Sequence, residues 1–398
     1  MDHYTIVFLG GVLLVLTLVS LVVNLLHKRR DIGIDAAVFD TLRSRIHAWW
    51  LLFGLLVIAF CFVAFGLGNV MTVLLFGLIS FWALREYITL TPTRRADNNT
   101  LFWVFFLCTP FQFLLVAIDP AWFERYFQVS PYLVFSIFIP AYTFLIIPAA
   151  IAVSGDAKHF LERIAKIQVG LLICVYSFSF APALLTMHFP TPETASAVAG
   201  IMPGGLGGAD VPDQAFKVAK DTMTGSSTND GNNHATAELA NETATVTVPT
   251  PPSPTPKNHQ TGRSLRLLFF FVLIVQAGDV FQYLWSHIPQ RHVVAPSINS
   301  TRTWEGVFGG AATNALFATS LWGVTPFPEW WQAAVGGFLV SIMGFAGNLT
   351  MSAIKRDRGV DDFGNLIVGH NGVLDRIDSL CFAAPVFYHF AWLCVHVM

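Results

Sequence analysis

Charge is scarce in this chain. Of its 398 residues only 12% are Asp, Glu, Lys or Arg, about half the share of a typical soluble domain. Hydrophobic residues make up 54%, and Phe alone supplies 36 positions. A soluble fold of this length lacks the polar residues to cover that much apolar surface, so the composition excludes a free globular enzyme and points to a chain solvated by lipid. Cysteine is also sparse. Cys61, Cys108, Cys174, Cys381 and Cys394 all lie inside apolar runs and none forms a C-x-x-C pair, so neither a disulfide framework nor a zinc site is implied and small core or lipid-facing roles are expected. No Walker A loop, G-x-S-x-G elbow, H-E-x-x-H pair or G-x-G-x-x-G after a strand occurs, which removes the common soluble nucleotide, hydrolase and metalloprotease signatures. The first apolar run follows Met1-Asp2-His3 without a cationic n-region or a small-residue cleavage site, so a retained helix is expected there instead of a signal peptide.

What the chain does have is long apolar runs. A bilayer core of about 30 Å needs about 20 apolar residues in a helix. Ten segments meet or approach that length: 4–27, 48–67, 69–89, 101–118, 131–153, 168–188, 265–285, 306–324, 331–354 and 379–397. Residues 31–47, mixed apolar and basic, read as a helix lying at the interface. Alternate connections collect 17 of the 23 Lys and Arg, a bias that places those connections in the cytoplasm and both termini on the other side. Residues 190–262 are rich in Gly, Ala, Thr, Asn and Pro and end in Thr250-Pro251-Pro252-Ser253-Pro254-Thr255-Pro256. Such a segment buries too little apolar surface to offset its ordering entropy. The expected architecture is an all-α polytopic bundle of about ten transmembrane helices in three parts: N-terminal helices over 1–189, a disordered outer loop over 190–262, and a C-terminal set over 263–398 that carries the chemistry. No internal repeat or inverted pair of interrupted helices suggests a transporter.

Polar residues are costly at membrane depth and therefore informative. They concentrate between Gly347 and Asp378. On a helix Asn348, Ser352 and Lys355 share one face, with Arg356 beside them, so this face leaves the bilayer as a basic prong. Asp375 and Asp378 are spaced i, i+3 at the start of the last apolar run, where acids suit the positive end of a helix dipole. Paired carboxylates near basic residues and a loop bearing Gly364, Gly369 and Gly372 suit phosphates held with a divalent metal; the plain alternative is an ordinary charged inner loop. A second cluster is Arg302-Thr303-Trp304-Glu305-Gly306. Arg302 can clamp phosphate oxygens, Thr303 can cap a helix and Trp304 can anchor it at the interface. Asp279, with Tyr283 one turn on, lies about two turns inside the seventh apolar run, a functional candidate whose plain alternative is a buried structural acid.

Together these residues resemble the phosphatidate cytidylyltransferase family. The stretch Ser352-Ala353-Ile354-Lys355-Arg356, then Asp361-Asp362-Phe363-Gly364, then Gly369-His370-Asn371-Gly372-Val373-Leu374-Asp375-Arg376-Ile377-Asp378 is similar to that family's signature S-x-x-K-R-x4-K-D-x-G followed by P-G-H-G-G-x-x-D-R-x-D. Thr303-Trp304-Glu305-Gly306 resembles its K-T-W-E-G motif, and Asp279 with Tyr283 matches its preceding Asp-bearing helix. The resemblance covers roughly residues 265–390 and leans to a bacterial branch; the first six apolar runs match only in general character.

The resemblance implies transfer of CMP from CTP to phosphatidate, giving CDP-diacylglycerol and pyrophosphate with Mg²⁺, a second cation being left open. It gives Lys355, Arg356 and Arg376 the task of neutralising phosphate charge. It makes Asp375 the expected metal ligand, with Asp362, Asp378 and Asn348 beside it. Arg302, Thr303, Trp304, Glu305, Ser352, Asp279, His370 and Gly372 are expected to contact or shape the substrates. Several positions differ from the family pattern. Asp361 stands for a Lys, Asn348 for a common acid, Met351 for a Glu, Val368 for a Pro, Asn371 for a Gly and Arg302 for a Lys. Asn348 supplies oxygen but no charge, and Arg302 keeps charge while changing its geometry. The expected partners are CTP, a lipid phosphate and membrane lipid, with no nucleic acid and with a homodimer left open. The expected location is the bacterial inner membrane with site loops in the cytoplasm. A CTP-using polyprenol kinase and a catalytically silent membrane paralogue acting as a scaffold are the competing readings.

Overall fold

The helix that carries the basic prong shows how local chemistry sets this architecture. It runs from Trp330 to Arg358. It starts in a capping box, with Glu329 and Gln332 each accepting the other's backbone N–H. It stops at Gly359, which adopts φ +66°. The amide of Val360 donates to the Lys355 carbonyl at 3.1 Å and that of Gly359 to the Arg356 carbonyl at 3.2 Å, the two bonds of a Schellman cap. The stop therefore falls directly after Lys355, Arg356 and Arg358, and fixes where those cations leave the helix.

The computed structural model describes residues 68–90, 97–153, 155–187, 257–287, 292–360 and 372–396, Phe189 and Phe363, and scattered residues between 10 and 94. The apolar runs at 4–27 and 48–67, the interfacial segment 31–47 and the loop from 190 to 256 lie largely or wholly outside these residues. The contacts below lie within the unit formed by Met1–Phe189 and Asn258–Met398. In chain order it contains α1 (Gly68–Leu90), α2 (Asn98–Ala117), α3 (Pro120–Phe127), α4 (Pro131–Val153), α5 (Phe160–Thr186) and α6 (Lys257–Trp285). A short antiparallel hairpin of β1 (Val293–Ala295) and β2 (Asn299–Thr303) follows. The chain then continues through α7 (Trp304–Ser320), α8 (Trp330–Arg358) and α9 (Leu374–His396).

This is an all-α polytopic architecture. Among the described residues seven helices, α1, α2, α4, α5, α6, α8 and α9, are long and apolar enough to cross a membrane. The run expected at 306–324 is instead α7, a helix of 17 residues, about 26 Å long at 1.5 Å per residue, followed by a 3₁₀ turn at Trp322–Val324. The hairpin before it was not expected. Its residues Asn299 to Thr303 are polar and β-branched, and no helical period runs through them.

Two kinds of packing hold the bundle. Between α6, α7, α8 and α9 the helices meet through glycine. A Cβ at Gly310 would lie 2.7 Å from the Gln282 backbone, one at Gly337 2.6 Å from the Ala318 Cβ, and one at Gly347 2.7 Å from the Asp378 carbonyl oxygen. Close backbone approach of this kind is how helices associate where lipid removes the hydrophobic drive between them. Deeper in the bundle the contacts are aromatic. Phe178 and Phe180 of α5, Phe270 and Phe271 of α6, and Phe387 of α9 are fully buried, and Phe271 stacks on Phe387 at 4.9 Å. By contrast α4 presents Leu145 and Ile146, 71% and 62% exposed, as a lipid-solvated face would.

Candidate active site

Three helices build the centre of the site. Asp279 of α6 and Ser379 of α9 are buried and face each other: the Ser379 hydroxyl donates to the Asp279 carboxylate, 2.8 and 2.9 Å from its two oxygens. Asn348 of α8 closes the triangle. Its amide nitrogen donates to Asp279 Oδ1 at 3.0 Å and to Ser379 Oγ at 2.9 Å. The Asp378 carboxylate, also buried, accepts the Ser379 backbone N–H at 2.7 Å, with the Ser379 hydroxyl 3.5 Å away. Two carboxylates thus bracket one serine. Gly344 lies alongside: a Cβ there would make ordinary contact, 3.4 Å from the Ser379 Cβ and 3.7 Å from Asp279 Oδ1.

Further along the same face of α8, Ser352 donates back to the Asn348 carbonyl at 2.7 Å. Lys355 reaches α9, where its Nζ pairs with Asp375 Oδ1 at 2.5 Å. The other Asp375 oxygen accepts the Phe363 backbone N–H at 3.2 Å, and the Lys355 ammonium lies 5.2 Å from the Phe363 ring centroid, within cation–π range. The shared face expected for Asn348, Ser352 and Lys355 is therefore present. Asp375 and Asp378 have different partners: Asp375 serves the Lys355 pair, and Asp378 serves the Ser379 node. Gly372 is buried just before α9 and Arg376 is partly buried in its first turn. Asp361, Asp362, His370 and Asn371 lie outside the described residues. Among the described residues no three His, Cys, Asp or Glu side chains converge tightly enough to cage a metal ion by themselves.

The hairpin brings the second cluster to the same end of the bundle. Arg356 Nε donates to the Ile298 carbonyl at 3.4 Å, which ties the hairpin to the end of α8. Thr303 caps α7 by accepting the Gly306 N–H at 3.1 Å. Trp304 is 47% exposed and stacks on Phe308. Glu305 meets His292 at 2.8 Å, and Arg302 is buried. Thr303 thus has a positioning role, while Arg302 and Glu305 sit near the basic prong.

Several charged groups at this end were not singled out from the sequence. Glu86 of α1 is buried, and its two oxygens accept the backbone N–H groups of Val373 at 3.1 Å and Leu374 at 2.9 Å. It is a cap delivered to α9 from another helix, and it anchors the stretch that carries Asp375, Arg376 and Asp378. Trp82 Nε1 adds a third donor at 3.2 Å. A lone acid in the apolar run 69–89 was the available signal. Nearby, Arg163 of α5 and Asp97, just before α2, form a buried ion pair. Arg94 binds Asp156 at 2.8 Å; this bond and the Lys158 N–H hold the Asp156 carboxyl below its ordinary range. Arg358 at the end of α8 lies 4.0 Å from Glu162 at the start of α5, so both halves of the chain supply charge to one end of the bundle.

Comparison with known proteins agrees in kind with this geometry. The model of the cytidylyltransferase family matches residues 43–394. A protein of Escherichia coli K12 named "Uncharacterized protein YnbB" is 31% identical over 354 residues, 88% of each chain. A phosphatidate cytidylyltransferase of Synechocystis is 35% identical over 144 residues, covering 36% of this chain and 48% of that protein. One of Pseudomonas aeruginosa is 35% identical over 128 residues, covering 32% and 47%. The matched stretches thus span about half the length of the relatives that carry an enzyme name.

Proposed function

This chain belongs to the cytidylyltransferase family, and from that premise we propose that it is a phosphatidate cytidylyltransferase, transferring CMP from CTP to a lipid phosphate at the charged end of α6, α8 and α9. The observation that carries this reading is the meeting of Asp279, Asn348, Asp378 and Ser379 beside the Lys355–Asp375 pair. In the reaction a phosphate oxygen of the lipid bonds to the α-phosphorus of CTP. The bond from that phosphorus to the oxygen bridging toward the β-phosphorus breaks, and pyrophosphate leaves with the electron pair. No covalent intermediate with the protein is needed, so positioning and charge neutralisation do the work.

Each residue's part follows from its place. Lys355 is held by Asp375 at the mouth of the site, where it meets incoming phosphate as a fixed point charge. Arg356 and Arg376 add charge on either side, and Arg302 offers a planar fork from the hairpin. Ser352 and Asn348 fix the face of α8. Asp362 and His370, in the connection between α8 and α9, remain the proposed loop contacts to the nucleotide, with Gly372 allowing close approach.

The donor set fits Mg²⁺. Asp279 and Asp378 offer hard carboxylate oxygens on two sides of Ser379, and Mg²⁺ is ordinarily held by one or two carboxylates, with water and substrate phosphates completing the shell. When bound, the ion would offset negative charge on the phosphates. Asn348 is the neutral member of the set. Asn348→Asp sets a further carboxylate against Asp279, so without Mg²⁺ the unfolding midpoint should fall by the equivalent of about 1–3 kcal/mol and Mg²⁺ should restore it. A midpoint indifferent to Mg²⁺ would remove the metal from this node.

The deciding assay uses the purified full chain with CTP, phosphatidate and Mg²⁺. Equal amounts of CDP-lipid and pyrophosphate are expected. CDP together with a phosphorylated alcohol would identify a lipid kinase instead. Absence of turnover together with absence of CTP binding in calorimetry would sink the enzymatic reading. With the basic connections in the cytoplasm of a bacterial inner membrane, the site would open on the side where CTP is found.

A further inference from the structure

The end of the bundle away from Lys355 holds a cavity of about 620 Å³ between α2, α3, α4, α5 and α9. Its wall is aromatic and acceptor-rich, with Glu124, Tyr132, Tyr388, His389, Trp392 and His396 among the lining residues. Among the described residues no Lys or Arg lines it.

Proton accounting shows what the wall offers. His389 Nδ1 lies 2.6 Å from the Pro385 carbonyl oxygen, which can only accept, so Nδ1 carries the hydrogen. In the neutral ring, Nε2 then accepts the Tyr132 hydroxyl at 2.9 Å. His396 Nδ1 likewise donates to the Trp392 carbonyl at 3.0 Å, leaving its Nε2 with a lone pair. Thr186 spends its hydroxyl hydrogen on the Ala183 carbonyl at 2.8 Å. The imidazole Nδ1–H groups and two of the hydroxyl hydrogens are thus committed within the protein. Lone pairs on Tyr132, Thr186 and His396 and the Glu124 carboxylate remain for a guest.

Such a wall suits a donor with positive charge. The aromatic rings strengthen the case: Tyr132 stacks on Tyr388 at 5.7 Å and Trp392 on His396 at 5.1 Å, and an indole or phenol face attracts a cation. One carboxylate beside ring faces is a pairing that suits an organic ammonium. We propose that this cavity is a binding site for an organic ammonium group, held by Glu124 and by the rings of Tyr132 and Trp392. The site lies apart from the Lys355 end and does not depend on the reaction performed there. The ammonium can be carried by a lipid headgroup or by a free amine.

Calorimetry on the full chain in non-ionic detergent tests this, with dihexanoyl phosphatidylethanolamine, dihexanoyl phosphatidylglycerol and ethanolamine as probes. The expected result is saturable binding of the ethanolamine lipid at least tenfold tighter than the glycerol lipid. Glu124→Gln and Trp392→Ala should each weaken it about tenfold, with the unfolding midpoint unchanged because both side chains are exposed. Ethanolamine binding as tightly as its lipid would assign the site to free amines; much weaker binding would assign it to headgroups. Equal binding of the two lipids, or binding indifferent to both substitutions, would overturn the proposal. If Trp392→Ala alone lowers the midpoint, Glu124→Gln decides.

Discussion

The two halves of this bundle are held together differently. In α6 to α9 backbones approach closely: Gly310, Gly337 and Gly347 each lie where a Cβ would fall within 3.0 Å of a neighbouring helix. The α1 to α5 seams are more aromatic, and their tight glycine contact is with a side chain: a Cβ at Gly170 of α5 would lie 2.6 Å from the Tyr87 ring of α1. A Cβ at Gly77 would meet the Phe113 ring at an ordinary 3.4 Å, and π-helical turns interrupt α2, α4 and α5 at Val104–Cys108, Phe138–Thr143 and Leu172–Ser177. The half with glycine-to-backbone contacts carries the polar node at its seam, where a Cβ at Gly347 would lie 2.7 Å from the Asp378 carbonyl oxygen. A site proposed to neutralise phosphate charge needs groups held in place before substrate arrives.

The largest test of this contrast is chemical. Asp375→Ala removes the partner that orients Lys355, and CDP-lipid formation should fall by about 10³-fold while the unfolding midpoint stays within reach of the wild type. Retained activity would mean that Lys355 needs no such partner. The next test is mechanical. Gly347→Ala and Gly310→Ala drive a methyl group into the Asp378 carbonyl and the Gln282 backbone, overpacking that should cost about 1–3 kcal/mol. Gly77→Ala should be close to neutral, since the ring can yield and Ala favours the helix. Thermal unfolding in detergent compares the three. Equal losses at Gly77 and Gly347 would erase the distinction between the halves.

The same contrast governs what the sequence revealed. The all-α polytopic class follows from apolar runs alone, because a lipid-solvated backbone must satisfy its own hydrogen bonds. The face Asn348, Ser352, Lys355 follows from helical period, whereas the helix continues past the expected end at 354 to Arg358, where Gly359 at positive φ stops it. The short α7 did not emerge, because hydropathy continues past Ser320 into Leu321, Trp322 and Val324 while the helix ends. The partition of Asp375 and Asp378 was also hidden. Residues i and i+3 do share a side of a helix, but α8 crosses α9 so that Lys355 reaches the first and the Gly347 seam approaches the second. That crossing is a tertiary fact with no local signature. Glu86 was missed for a related reason: its partners are the amides of Val373 and Leu374, and backbone donors leave no mark in a residue pattern.

Glu86 also gives the sharpest test, because it is where the N-terminal half meets the C-terminal one. Its carboxylate accepts two N–H groups at the start of α9 and the Trp82 indole. Hydrogen bonds to a charged group are each worth about 1.5–3 kcal/mol; Glu86→Gln keeps one acceptor oxygen, sets an NH₂ donor against the N–H the other oxygen accepted and removes the charge facing the helix dipole, so about 1–2 kcal/mol should be lost. The loss should be local. Amide exchange should accelerate at Val373 to Ile377 and stay unchanged in α8, and turnover should drop several-fold with little change in the KM for CTP, because the cap positions Asp375 without lying among the groups assigned to the nucleotide. Uniform acceleration of exchange through α1 and α9 would mean that Glu86 supports the bundle as a whole. Exchange confined to the first turn of α9 would make the N-terminal half a frame that holds the catalytic helix at a single buried carboxylate.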